Sequence, residues 1–183
     1  MQPWLRHPVP SEWILLSYRL PREPSTPRIA LWRRLRRLGV AQVSDGLVAL
    51  PSDARTREQL EWAADHVVDH GGEASLWTAR PATDGQERAL AEQMSSQRAQ
   101  EYREVAGEAR TALHDDPADA RRALLRLRRR HREVARRDFF PPAARDEAAA
   151  SLRALEAHVA GRPATSGATA TALARPGTTA AAR

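Results

Sequence analysis

The first half of the chain alternates short apolar runs with amphipathic segments. An apolar run at 13–20 predicts a strand, and two more short runs, 41–44 and 46–50, predict a second and third strand. These two runs meet at Asp45-Gly46, a pair that is typical of a two-residue hairpin turn. The pattern therefore predicts one strand followed by a hairpin.

Two helical patterns and a fourth strand complete this first unit. Between 27 and 38, leucines recur on one arc and arginines on the opposite arc, and Gly39 ends the pattern. A second amphipathic pattern spans 54–70, and alternation at 74–79 predicts a fourth strand. The order β-α-β-β-α-β predicts a ferredoxin-like α+β domain over residues 11–81.

The second half has only helical patterns. Three of them, at 84–113, 117–137 and 143–160, predict a three-helix region over residues 82–161. Residues 162–183 consist mostly of Ala, Thr, Gly, Pro and Ser, which predicts a disordered tail. Residues 1–10 are predicted to be a flexible N-terminus.

Composition narrows the class of protein. The 183 residues carry a net charge of +6, and every one of the 29 basic residues is arginine. No cysteine is present, which excludes disulfides, thiol catalysis and cysteine-ligated metal sites. No apolar run approaches the roughly 20 residues of a membrane span. These features predict a soluble cytoplasmic protein without membrane contact.

Arginine is concentrated on two of the predicted helices. A basic helix face attracts phosphate backbones, so the sequence predicts DNA as a partner. The arginines predicted to bind DNA are Arg33, Arg34, Arg37, Arg122, Arg126, Arg129, Arg130, Arg132 and Arg136. The alternative is a solvated face that pairs with the carboxylates of the long helix between Glu87 and Glu108.

An ordered set of short segments resembles one known family. The segments are WILLSY at 13–18, LP at 20–21, PSTPR at 24–28, WRRL at 32–35, DGL at 45–47, EW at 61–62, GGEA at 71–74 and DFFP at 138–141. Together they resemble the N-terminal domain family of the chromate resistance protein ChrB. Many members carry a further C-terminal domain, and this chain is expected to stand alone without one.

The resemblance implies a chromate-responsive transcriptional regulator that contributes to chromate resistance and binds DNA, expected as a homodimer. It also implies a site for chromate or a similar oxyanion, for which Arg19, Arg22 and Arg28 near the first turn are candidates. The alternative for the same turn is that Ser25 and Thr26 merely cap the helix. The alternative for the whole chain is a non-DNA-binding accessory or sensor protein, working with a partner that supplies the C-terminal domain.

No catalytic constellation or cofactor motif is recognisable, so we expect neither an enzyme nor a cofactor. His66 and His70 have a spacing compatible with metal ligation, but no third cluster accompanies them, and no metal site is predicted. Trp13 and Trp32 are expected in the core or at a dimer interface. Trp62 lies off the apolar stripe of its helix and is the best interface candidate.

Overall fold

A computed structural model describes residues 12–161, where four strands form one antiparallel sheet in the order β2-β3-β1-β4. The strands are β1 (Trp13–Arg19), β2 (Ala41–Ser44), β3 (Leu47–Pro51) and β4 (Glu73–Ala79). The helices are α1 (Thr26–Leu38), α2 (Ala54–Asp69), α3 (Asp84–Thr111), α4 (Pro117–Ala135) and α5 (Ala144–Gly161). This order and topology confirm the ferredoxin-like α+β fold with helices after it.

The first hydrophobic core forms around β1, an inner strand of the sheet that is apolar on both faces. Strand β1 pairs with both β3 and β4, and its Trp13 lies opposite Pro51 and Ala79. Leucines at helical spacing on α1, Leu31 and Leu35, are buried in the core that includes these strands. The ring of Phe140 stacks on the ring of Trp13, with 6.0 Å between the ring centroids. The segment after α4 therefore packs against β1.

A second core holds the helical region together. It consists of buried residues from the second half of α3, from α4 and from α5, including Tyr102, Leu127 and Leu155. The first half of α3 instead contributes Ala91 and Met94 to the first core. Helix α3 therefore belongs to both cores and fixes the helical region relative to the sheet.

The observed element boundaries lie within two residues of those that the sequence predicts, because local signals mark them. The hairpin glycine Gly46 has φ of 72°, and Gly39 ends α1 with φ of 77°. Asp116 caps α4 as its N-cap residue by accepting from two backbone N–H groups. The capping role of Ser25 and Thr26 was wrong: Ser25 is the N-cap residue but its side chain makes no capping bond, and Thr26 is already helical.

The predicted flexible N-terminus and disordered tail lie outside the described residues. Within residues 12–161, no helix is both long and apolar enough to cross a membrane.

Candidate functional site

The two arginine-rich helices, α1 and α4, face each other across one cleft of about 1090 Å³. We call it the basic cleft. Its charged lining consists of eight arginines and three glutamates: Arg33, Arg36, Arg37, Arg98, Arg126, Arg129, Arg130, Arg137, Glu101, Glu104 and Glu133. The excess of cations over carboxylates makes it a positive groove, which is the electrostatic requirement for binding a polyanion.

The fold brings together five of the nine arginines predicted to bind DNA. Those that line the basic cleft are Arg33, Arg37, Arg126, Arg129 and Arg130, whereas Arg34, Arg122, Arg132 and Arg136 lie outside it. Sequence reasoning missed Arg36, Arg98 and Arg137. For Arg98 a signal existed, because it lies midway between Met94 and Tyr102 on the buried stripe of α3.

The arginines of α4 that line the cleft are already ion-paired. Arg126 Nη2 donates to Glu108 Oε2 at 2.9 Å, and Arg130 Nη1 donates to the other oxygen of Glu108 at 2.6 Å. Arg130 also bonds Glu104, and Arg129 Nε donates to Glu133 at 2.9 Å. The pairing with α3 carboxylates that the sequence offered as an alternative is therefore present in the structure.

Beyond the cleft the pairing continues on the rest of α4. Arg122 bonds Asp119 one turn earlier, and Arg128 Nη2 contacts Glu156 Oε1 of α5 at 2.5 Å. These partners neutralise much of the positive field that the sequence of α4 suggests.

Helix α1 presents its arginines differently. Within residues 12–161, Arg33, Arg34 and Arg37 form no ion pair. The guanidinium carbon of Arg34 lies 5.7 Å from the ring centroid of Trp62. The guanidinium carbon of Arg36 likewise lies 4.8 Å from the ring centroid of Trp32. Stacking on an aromatic face orients a guanidinium while leaving its N–H groups available to an anion.

An arginine–glutamate cluster forms the base of the basic cleft. Arg98 Nη2 and Arg137 Nη2 donate to the two oxygens of Glu101, at 3.0 and 2.8 Å. Arg137 Nη1 donates to the backbone carbonyl of Arg36 at 2.9 Å, at the C-terminal end of α1. The cluster thus ties α1 to α3 and to the segment after α4, and burial lowers the pKa of Arg98.

Behind this cluster lies a buried carboxylate, Asp138. The hydroxyl of Tyr102 donates to Asp138 Oδ2 at 3.0 Å, and Arg145 Nη1 is 3.9 Å from the same oxygen. Burial raises the pKa of Asp138, against the lowering effects of the Tyr102 hydrogen bond and the Arg145 charge. Burial, followed by the charge of Asp138, likewise raises the pKa of Tyr102.

The three arginines proposed for an oxyanion line a different depression. Arg19, Arg22 and Arg28 surround a cleft of about 980 Å³ that also includes Asp45 and Glu73. We call it the turn cleft. All three arginines are exposed, and the two carboxylates offset part of their charge. The fold therefore gathers these residues but leaves them in solvent.

Of the remaining candidates, His66, His70 and Trp62 lie on α2, Trp32 lies on α1 and Trp13 lies on β1. The rings of His66 and His70 lie 4.3 Å apart, yet no group of three metal-ligating side chains occurs within residues 12–161. Trp13 is buried as expected, while Trp32, Trp62 and Trp77 are more than half exposed.

Comparison with known proteins supplies the family. Residues 28–114, from α1 to the end of the turn after α3, match the family model described as Protein ChrB, N-terminal. The chain is also 34% identical over 140 residues to Protein ChrB of Cupriavidus metallidurans. That match covers 70% of this chain and 40% of the relative, so the chain spans about two fifths of the length of the curated protein it matches.

Proposed function

Because this chain belongs to the ChrB N-terminal family, we propose that it is a ChrB-like, chromate-responsive transcriptional regulator that binds DNA and contributes to chromate resistance. The proposal assigns it a cytoplasmic location and no catalytic activity. It rests on the family together with the electrostatics of the basic cleft.

The observation that carries the DNA-binding proposal is the convergence of α1 and α4 on one positive groove. Arginines spread over a surface bind polyanions weakly, whereas cations focused in a cleft attract phosphates more strongly. Helix α1 supplies the first contacts in the proposal, because Arg33 and Arg37 line the groove and have no carboxylate partner within residues 12–161. A second row of contacts comes from Arg126, Arg129 and Arg130, which must release their glutamate partners before they can bind phosphates.

The chromate response requires two states with different affinities for the oxyanion. A ligand shifts an equilibrium between DNA-competent and incompetent forms only by its differential affinity for them. In the proposal, Arg19, Arg22 and Arg28 of the turn cleft form the first candidate contact for chromate.

A homodimer completes the proposal, because two copies related by a twofold axis present two basic clefts to one duplex. The exposed Trp62, 58% accessible, is the candidate anchor of the dimer interface. Large aromatic side chains are enriched at such interfaces.

The test is fluorescence anisotropy of the purified protein with its own upstream DNA and with a scrambled duplex of equal length. Each duplex is titrated across a series of salt concentrations, with and without chromate. The proposal predicts tighter binding to the upstream DNA and release by chromate. Equal, salt-sensitive binding to both duplexes would reduce the function to a nonspecific polyanion surface.

The ion pairs of α4 favour one second candidate. If the arginines serve to pair with carboxylates rather than phosphates, the chain is a non-DNA-binding accessory or sensor protein that acts through a protein partner. This candidate predicts co-purification with that partner and no retention on DNA at moderate salt.

A further inference from the structure

Strand β4 forms one edge of the sheet, and no other strand of the described chain covers that edge. It pairs only with β1, and within residues 12–161 no further backbone–backbone hydrogen bond involves residues 73–79. Its seven residues contain no proline, and its register with β1 is continuous. Edge strands of soluble proteins are normally shortened, bulged, charged or covered, because their free N–H and C=O groups can pair with another chain.

The opposite edge of the sheet, β2, has such protection. It is four residues long, and its pairing with β3 shifts register between Gln42 and Ser44. Helix α3 packs beside it, and Gln93 Nε2 of α3 donates to the backbone oxygen of Gln42 at 3.3 Å. The contrast between the two edges indicates that β4 is left open for a partner strand.

The two ends of β4 carry opposite charges. Glu73 begins the strand and forms no ion pair within residues 12–161. Arg80 directly follows the strand, where it forms an exposed ion pair with Glu12. Two antiparallel copies of β4 bring Glu73 of one protomer toward Arg80 of its partner, and symmetry repeats that pair at the other end. Residues 74–79 between them are uncharged, so β4 is complementary to itself.

Helix α2 extends the same surface. Arg57 Nη2 donates to Thr78 Oγ1 at 3.3 Å, which places one side of α2 over β4. Val68 follows Arg57 by about three turns on that side of the helix, and it is 57% exposed. Trp77 of β4 is 61% exposed. A second copy aligned along β4 would bring its own α2 beside this one and cover part of both side chains.

We propose that β4 is the dimer interface of this protein, where two copies of the chain pair their β4 strands antiparallel about a twofold axis. The two four-stranded sheets then join into one continuous sheet with the β4 strands at its centre. The interface rests on the homodimer of the proposed function and adds to it the strand edge beneath α2, the helix that carries Trp62. Because the β2 edges are protected, association ends at two copies.

Sedimentation equilibrium of the full chain, over a range of protein concentrations, tests the interface. We expect a dimer whose Kd rises by about 10-fold or more in Ser75→Lys, because the twofold axis brings the two added lysines close together. Ser75 is exposed, so the substitution is compatible with the folded monomer, which circular dichroism checks. Ser44→Lys makes the same exposed change on β2 and should leave the Kd unchanged.

A charge exchange tests the orientation of the two strands. Glu73→Arg and Arg80→Glu should each raise the Kd of the dimer, because each leaves like charges at both ends of the paired strands. The double variant re-forms both pairs with their signs exchanged and should recover part of the lost affinity. If Arg80 acted only through Glu12 of its own chain, the double variant would show no recovery.

Three results would overturn the interface. One is wild-type protein that stays monomeric at every concentration, and another is an equal Kd for Ser75→Lys and Ser44→Lys. The third is a dimer that Trp62→Ala dissociates and Ser75→Lys does not, which would place the contact on the outer face of α2 instead.

Anisotropy with DNA on the same proteins separates the interface from the DNA-binding function. A monomer that prefers its upstream DNA to the scrambled duplex refutes the interface and leaves that function standing. A dimer that Ser75→Lys dissociates but that binds neither duplex keeps the interface and refutes the function.

Discussion

Helices α1 and α4 look alike in sequence and differ in the folded protein. Both carry arginine on at least half of their exposed positions, and both line the basic cleft. On α4, Arg126, Arg129 and Arg130 each contact at least one glutamate. On α1, by contrast, Arg34 and Arg36 lie over tryptophan rings.

The difference arises from the neighbours of each helix. Helix α4 packs along α3, which places Glu104 and Glu108 one turn apart beside it. Helix α1 packs on α2, where Arg34 lies over the ring of Trp62. Within residues 12–161, no carboxylate of α2 forms an ion pair with an arginine of α1. The number of arginines on a helix therefore does not measure the charge available to a ligand, which depends on the helix packed beside it.

Two triple variants test this contrast directly, because each removes three positive charges. Arg33, Arg36 and Arg37, which all line the basic cleft, replaced together by alanine should lower the slope of log affinity against log salt by about 2.7, or about 0.9 per lost phosphate contact. Alanine at Arg126, Arg129 and Arg130 should lower it by less than about 1, since those side chains give up carboxylates to bind DNA. Equal slopes, from anisotropy titrations with one duplex, would contradict the contrast.

Releasing the paired arginines should make α4 resemble α1. The double change Glu104→Gln and Glu108→Gln frees Arg126 and Arg130, and the salt slope for DNA should rise by up to about 1.8. Glu58→Gln with Glu61→Gln on α2 is the matched control, because it alters net charge equally but breaks no ion pair within residues 12–161. A rise of the same size in the control would assign the effect to net charge.

Glu101 should matter more for stability than the carboxylates at the rim of the cleft. Glu101→Gln leaves the Arg98 and Arg137 guanidinium groups with a weaker acceptor, and we expect it to lower the free energy of unfolding by about 1–3 kcal/mol. Glu133→Gln breaks an exposed pair and should cost less than about 1 kcal/mol. Urea denaturation measures both, and similar losses would show that Glu101 is not a special link between the helices.

In the segment after α4 the buried charged side chain is a carboxylate, Asp138, rather than an arginine. Burial raises the pKa of Asp138, so the folded protein holds this proton more tightly than the unfolded chain. The stability contributed by protonation is present below the unfolded pKa of the carboxyl and is lost as pH rises through its higher folded pKa. Asp138→Asn, which keeps an acceptor for Tyr102, should therefore gain stability relative to wild type as pH rises from about 4.

Thermal unfolding from pH 4 to pH 7 measures this difference. Asp65→Asn removes an exposed carboxylate on α2 and is the control, for which we expect a difference that stays small. A constant gap between wild type and Asp138→Asn across this range would contradict the burial effect.

Local chemistry explains why the fold was predictable. The Asp45-Gly46 turn, the leucine spacing of α1 and the glycine that ends it are each contained within a few residues. The convergence of α1 and α4 is not, because it depends on how α3 joins the two cores. The base of the cleft could not be predicted for the same reason. Arg98 is buried only because α1, α3 and the segment around Arg137 meet there.

The close approach at Gly39 has a consequence for how this family can vary. A Cβ atom on residue 39 would overlap Arg98 Nη1 and force that side chain to shift, and the positive φ there disfavours other side chains as well. Relatives that keep arginine at 98 should keep glycine at 39. Those with a short residue at 98 become free to accept asparagine at 39, so these two positions, far apart in the chain, should covary.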